Sequence, residues 1–205
     1  MLVGMLTPAI GEDVPRETIE RIEHFVSLVV AENEHQNLIG RASMAEILSR
    51  HVEDSAQLLR FRERRGRWLD IGAGAGFPGI VLALLSADPM TLAEPRRLRA
   101  EFLARVKEEL GLAHVTVVRS KAVLLTGRFD YITARAVASA SALFAMTAHL
   151  VHRGTIFILP KGKSAQSELA EAQRTWQGEF RLEQSLTSDD AAIIVARHVR
   201  QRGKS

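Results

Sequence analysis

Residues 68–83, WLDIGAGAGFPGIVLA, carry the reading of the whole chain. A short apolar strand contains an acid, Asp70, and then gives way to a loop with glycine at 72, 74, 76 and 79. An apolar helix follows. A strand, a glycine loop and a helix in that order bring bare backbone against a small ligand. A nucleotide phosphate, a dinucleotide and S-adenosylmethionine are all held this way, and the surrounding residues must separate them.

Downstream of Arg67 the chain alternates. Strands are expected at 67–71, 90–94, 115–118, 129–133 and 155–159, with helices near 78–86, 96–110, 139–149 and 163–177. The link at 120–125 is shorter. Alternation of this kind implies a parallel sheet with right-handed crossovers. The end differs, because FRLEQSL (180–186) and AAIIVARHV (191–199) are joined by the turn TSDD. That predicts an antiparallel hairpin closing the sheet. Five parallel strands finished by a hairpin fit a class I methyltransferase better than a dehydrogenase.

Upstream, residues 16–34 predict an amphipathic helix after Pro15, with Ile19, Ile22, Phe25, Val26, Val29 and Val30 on one face. Ser43 and Glu46 form a capping-box signature for a second helix reaching about Phe61. The expected organisation is a helical extension over 1–65 and an α/β core over 66–205 with a basic C-terminal tail. No internal repeat or low-complexity segment interrupts it.

The phosphate-loop reading fails, because Phe77-Pro78-Gly79 stands where a lysine and a serine or threonine are needed. GAGFPG (74–79) does match the dinucleotide pattern formally, and Glu94 lies near the expected distance for an acid binding ribose hydroxyls. Three features favour S-adenosylmethionine. Asp70 precedes the first glycine by two residues, where a carboxylate can organise the loop and meet an ammonium group. Gly72, Gly74 and Gly76 alternate and lengthen the exposed backbone. A helical region precedes the strand, whereas many dinucleotide domains begin close to it. The methionine carboxylate is then expected near the amides of the helix start, and the ribose near Glu94.

The 205 residues contain no cysteine, which excludes disulfides, thiolate metal sites and cysteine nucleophiles and fits a reducing cytoplasm. No apolar run approaches the roughly 20 residues needed to span a bilayer, and the amino-terminal residues lack the features of a signal peptide. A cytoplasmic monomer is expected. Net charge is only +3, yet the sequence pI is about 9.7 and the cations cluster. RFRERRGR holds five arginines between Arg60 and Arg67, EPRRLR follows the second strand, and Arg197, Arg200, Arg202 and Lys204 mark an acid-free end. Together they point to a polyanionic partner such as RNA. His149 and His152 have no third ligand nearby, so no metal is expected.

NLIGRAS, RHVEDS, WLDIGAGAGFPG, TLAEPRRLRAEFL, ITARAVA and LPKG, in this order over about residues 20 to 165, resemble the RsmG (GidB) family. Its members are bacterial 16S ribosomal RNA guanine-N7 methyltransferases. The resemblance implies S-adenosylmethionine as cofactor and 16S RNA or the small ribosomal subunit as partner. It implies a cofactor site against Gly72 and Phe77, with Gly74, Gly76 and the rest of the loop around them beside Asp70 and Glu94 as read above, Ala122 and Val123 beside the adenine and Arg135 as a further contact. Val123 stands where members commonly carry glutamate. Arg50, His51, Asp54, Arg135 and Lys161 are the implied substrate-facing residues.

On a regular helix Arg50 would meet Asp54, and His51 would also meet Asp54. The missing cysteine disfavours pyrimidine C5 methylation, and TARAVA stands where amino-directed enzymes carry an Asn/Asp-Pro-Pro-aromatic motif. Guanine N7 already presents an in-plane lone pair, so no catalytic acid or base is assigned. A nicotinamide-dependent oxidoreductase and a non-catalytic RNA-binding protein remain as alternatives, together with a small-molecule or protein methyltransferase.

Overall fold

The computed structural model describes residues 6, 7, 9, 13–40, 44 and 46–203. Ser43, the expected helix cap, and Lys204 lie outside the described residues. Seven strands form one sheet: β1 Trp68–Ile71, β2 Met90–Ala93, β3 Val115–Val118, β4 Tyr131–Ala134, β5 Ile156–Lys161, β6 Trp176–Gln184 and β7 Ala192–Gln201. Their spatial order is β3-β2-β1-β4-β5-β7-β6. The first five are parallel, and β7 lies antiparallel between β5 and β6. The strand order reverses between β1 and β4, which opens a crevice at the carboxyl ends of the strands.

A parallel sheet covered on both faces needs strands that are apolar on both sides. All four residues of β1 are buried. Trp68 joins a core made with Ile22, Phe25, Val29 and Ile80, while Leu69 joins the opposite core with Phe144 and Phe157. By the two-residue alternation of a strand, Asp70 faces the same side as Trp68.

Among the described residues the helices flanking the sheet are α1 Arg16–Asn33, α2 Gly79–Leu85, α3 Arg97–Glu109, α4 Ala140–Thr147 and α5 Ala165–Thr175. Helix α1 buries Ile19, Ile22, Phe25 and Val29 as its spacing predicts, although Val30 turns outward. The core is continuous from α1 into the sheet. Buried Asp88 strengthens that junction by accepting from Arg62 Nε at 2.6 Å, Arg62 NH2 at 2.9 Å and the Trp68 indole at 3.2 Å. The Tyr131 hydroxyl accepts from the amides of Glu63 and Arg64 and donates to the Arg64 carbonyl.

Three expectations are corrected. The second helix is not a regular α-helix: Leu48–Glu53 is π-helical, Asp54–Ala56 makes one α-turn and Gln57–Phe61 is 3-10. Helix α5 ends at Thr175 and β6 begins at once, because the Trp176 ring packs against Phe144 and its indole donates to Ser141 Oγ at 3.0 Å. The basic tail is largely strand. Arg197 and Arg200 belong to β7, and the Arg202 Nε donates to the carbonyls of Gln173 and Trp176.

Candidate functional site

The loop after β1 turns on three left-handed glycines, Gly72, Gly74 and Gly76. The amides of Gly72 and Ala73 donate to the Ala93 carbonyl, so the end of β2 fixes the loop. Glu94, next along, is buried and accepts from the amides of Gly74 at 3.0 Å and Arg96 at 2.8 Å. A side chain at Gly74 would meet nothing nearer than 3.6 Å. The Gly74 backbone is buried, and a Cβ there would reach only ordinary contact with the Gly72 carbonyl and with Arg99 NH1 at 3.7 Å. Gly72 is different: its ideal Cβ would stand 2.6 Å from Val137 Cγ2, so the loop after β4 is packed down onto it.

Asp70 is wholly buried. One oxygen accepts from the Gly79 amide at 2.9 Å, where α2 starts, and the other has no partner. Burial raises its pKa to about 7, with the Gly79 amide and Arg135 opposing the shift and Glu94 adding to it. Thr133 is its register partner on β4, and the Thr133 hydroxyl is also buried without a partner. Two adjacent orphaned polar groups lie at the switch point, where burial without a hydrogen bond is costly. An unpaired carboxylate oxygen calls for a donor, and a cationic one best.

Phe77 sits at the centre of the mouth. It contacts Phe25 of α1 with ring centroids 4.9 Å apart, stacks on His51 at 5.1 Å and lies 5.5 Å beneath the Arg135 guanidinium carbon. Arg135 donates to His51 Nδ1 at 2.6 Å and to the Arg50 carbonyl at 3.3 Å. Burial, then Arg135 and Arg50, lower the His51 pKa to about 4. The imidazole is thus neutral and accepts at Nδ1, consistent with an arginine that stays charged. Its Nε2 is buried and unpartnered.

The wide π-turn changes the expected pairs, because its bonding reaches one residue further than an α-helix. Arg50 turns to Glu46 rather than Asp54, leaving only its carbonyl at the cluster. His51 takes Arg135 as partner. Asp54 instead accepts from Gln57 at 2.8 Å and from Thr187 at 3.0 Å, in the turn between β6 and β7. Burial pushes its carboxyl up, against Arg135 and those two hydrogen bonds.

Asp54, Arg135 and Lys161 line one cavity of about 500 Å3 together with Val137. Lys161 is committed within it, donating to the Ala138 carbonyl at 2.6 Å and pairing with Glu168 at 2.9 Å. It anchors the loop after β4, in which Ala136 has a left-handed φ of 54°. Such backbone in a residue other than glycine concentrates at functional sites. Ala122 and Val123 lie on a 3-10 turn after β3, at the same end of the sheet; Ala122 is buried and Val123 is exposed.

Sequence reasoning missed Thr133, Val137 and the Gln57–Thr187 bracket. A lone threonine within an otherwise apolar strand was the available signal for the first. The other two depend on pairings far apart in the chain. The arginines of RFRERRGR lie at the opposite, amino end of the sheet, where Arg62 and Arg65 pair with Asp88 and Arg64 with Asp130. That cluster is largely internal bracing. Among the described residues no group of three acids and histidines gathers to hold a metal, and no helix is long and apolar enough to cross a membrane.

The family model described as rRNA small subunit methyltransferase G (GidB) matches residues 18–198. The ribosomal RNA small subunit methyltransferase G of Zymomonas mobilis is 41% identical over 196 residues, covering 91% of this chain and 88% of its own. Among solved structures, the S-adenosylmethionine complex of MtNAS aligns with a TM-score of 0.58 at 20% identity, over 86% of this chain and 74% of its own. A ribosomal protein L11 methylase from Lactobacillus delbrueckii aligns with a TM-score of 0.55 at 14% identity, over 75% and 79%. Both are likenesses of fold. Neither the nicotinamide reading nor the non-catalytic one survives, and the chain belongs to the rRNA small subunit methyltransferase G family.

Proposed function

We propose that this enzyme, an S-adenosylmethionine-dependent methyltransferase of the small-subunit ribosomal RNA, methylates N7 of a guanine in 16S RNA. The observation that carries the reading is an adjacency. The left-handed glycine loop that follows Asp70, whose second oxygen is unpaired, meets, through the Val137–Gly72 contact, a polar cavity holding Arg135 and Asp54. A methyl donor on one side and a flat, polar base on the other would share that boundary.

The residues present fit the cofactor. The free Asp70 oxygen and the Thr133 hydroxyl would take its ammonium group. Glu94 has lone pairs left on both oxygens for ribose hydroxyls. Gly72, Gly74, Gly76 and Phe77 would form the wall, while the apolar Val123 and the opening amides of its 3-10 turn, which lack helical partners, would serve the adenine. Bound there, S-adenosylmethionine supplies an electrophilic methyl on a positively charged sulfur.

The acceptor side follows from guanine's own edges. N7 must stay free to attack, so Arg135 would hold O6 or stack, while Asp54 would accept from the Watson–Crick edge. The N7 lone pair forms the new bond as the carbon–sulfur bond breaks, and no proton is taken. Catalysis would then rest on alignment in a site that Phe77, Val137 and Phe25 of α1 would shield from water. Arg50 and Lys161 would act through the positions of the π-turn and of the loop after β4.

The test is transfer of a labelled methyl to 16S RNA, and to the small subunit in parallel, followed by mapping of 7-methylguanosine. Label at another atom would overturn the N7 assignment while leaving the enzyme class intact.

A further inference from the structure

At the far end of the sheet from the glycine loop lies a second cleft, of about 920 Å3, between the amino end of β5 and the β6–β7 ladder. Its shape comes from a fault in that ladder. The register shifts between Gln177 and Glu179, and opposite it His198 takes a left-handed φ of 51°. A side chain at Gly178 would stand 2.6 Å from the Arg197 carbonyl, so the strands cross closely there and the edge bends outward. The turn before β5 supplies the other wall.

The cations of this cleft are arranged unlike those of RFRERRGR. Arg153 and Arg200 line it, are exposed, and have no carboxylate partner among the described residues. Two carboxylates are nearby: Glu179, the one acid in the lining, lies 3.0 Å from His198, and Asp130 accepts from Arg64 and from the Arg67 amide. Around the same rim, Arg128 is spent on the His149 carbonyl and Arg202 on Gln173 and Trp176, bonds that leave their charges uncompensated. The amino end of the sheet is therefore a cationic surface around a cleft that the methyl-transfer site does not use.

We propose that this cleft is a second docking surface for the phosphodiester backbone of the RNA substrate. The proposal rests on the RNA-methylating reading above. Strand β5 alone runs six residues from Ile156 to Lys161, about 20 Å at strand rise, and separates the two ends. An RNA that reaches both must be folded around the edge formed by β5, β7 and β6. Contacts of Arg153 and Arg200 to phosphates would contribute affinity and register rather than sequence choice.

The experiment measures binding of a 16S RNA transcript to the full chain across a series of salt concentrations, for the parent and for Arg153→Ala/Arg200→Ala. Two lost phosphate contacts should lower the slope of log affinity against log salt by roughly 1.4 to 1.8. Affinity at low salt should fall about tenfold. Arg153→Glu/Arg200→Glu should bind more weakly still. Both variants should keep the parent's melting temperature and its affinity for S-adenosylhomocysteine. A slope equal to the parent's overturns the proposal, as does weaker binding at unchanged slope, since that loss would not be ionic. Methyl transfer by the parent is scored separately. Transfer with an unaffected slope removes the cleft alone, and a cleft-dependent slope without transfer removes the enzymatic reading alone.

Discussion

Asp70 combines full burial with an orphaned oxygen, and its titration follows from that. The folded carboxyl holds its proton to about pH 7, whereas the unfolded one releases it near 3.8. In the ligand-free protein, stability from this group is present below about pH 4 and is lost as pH rises toward 7. An ammonium group against Asp70 reverses the preference, because the complex favours the ionised form. Affinity for S-adenosylhomocysteine should therefore climb between pH 6 and 7.5, a window in which the ligand's own ammonium keeps its proton. Asp70→Asn should flatten that climb and lose roughly 10- to 100-fold in affinity, as titration calorimetry would register. Arg135→Ala should cut methyl transfer by about 100-fold or more, by releasing His51 and the acceptor cavity together. Retained turnover in single-turnover assays would remove Arg135 from the site. Asp70, Glu94 and the glycines were legible because one motif holds them. Arg135 and His51 are 84 positions apart, and Thr133 meets Asp70 only through strand register, which no local pattern announces.

The strands were legible as elements because burial on both faces makes them continuously apolar, and alternation with helices fixed their direction. The winding of residues 48–61 was not. Hydrophobic spacing over so short a stretch does not separate an α-turn from a π-turn, and the choice is made by Arg135 and Thr187 from elsewhere. The hairpin was foreseen, but the start of β6 was set by the Trp176 ring seeking Phe144. At this scale Asp88 is the critical joint, since it ties the end of the helical extension to β1. Asp88→Ala would remove the acceptor of the Trp68 indole and two hydrogen bonds of the Arg62 guanidinium. A loss of about 1 to 3 kcal/mol is expected, visible in denaturant melts, while the protein that remains folded binds cofactor normally.

For the molecule as a whole, the core running from α1 through the sheet predicts one cooperative transition. Far-ultraviolet signals and Trp68 fluorescence should melt together, and S-adenosylhomocysteine at 100 times its Kd should add about 2.7 kcal/mol. Two transitions would mean that residues 1–65 fold separately. The basic composition announced a polyanion, but not which arginines face it. Pairing with Asp88, Asp130 and Glu63 is decided by tertiary neighbours, so charge clusters in sequence overstate the free cationic surface.

The packing of Val137 against the place where a Gly72 side chain would stand makes two binding events share one small volume. Anything that shifts the loop after β4 on the acceptor side is felt at the donor loop, and the reverse must hold by the same factor. If S-adenosylhomocysteine tightens 16S RNA fivefold, 16S RNA must tighten S-adenosylhomocysteine fivefold, because a coupling free energy has no direction. Val137→Ala, which removes the touching methyl groups, should bring that factor toward one without abolishing either affinity. The mutual tightening of cofactor and RNA in this enzyme would then be a property of a single van der Waals contact.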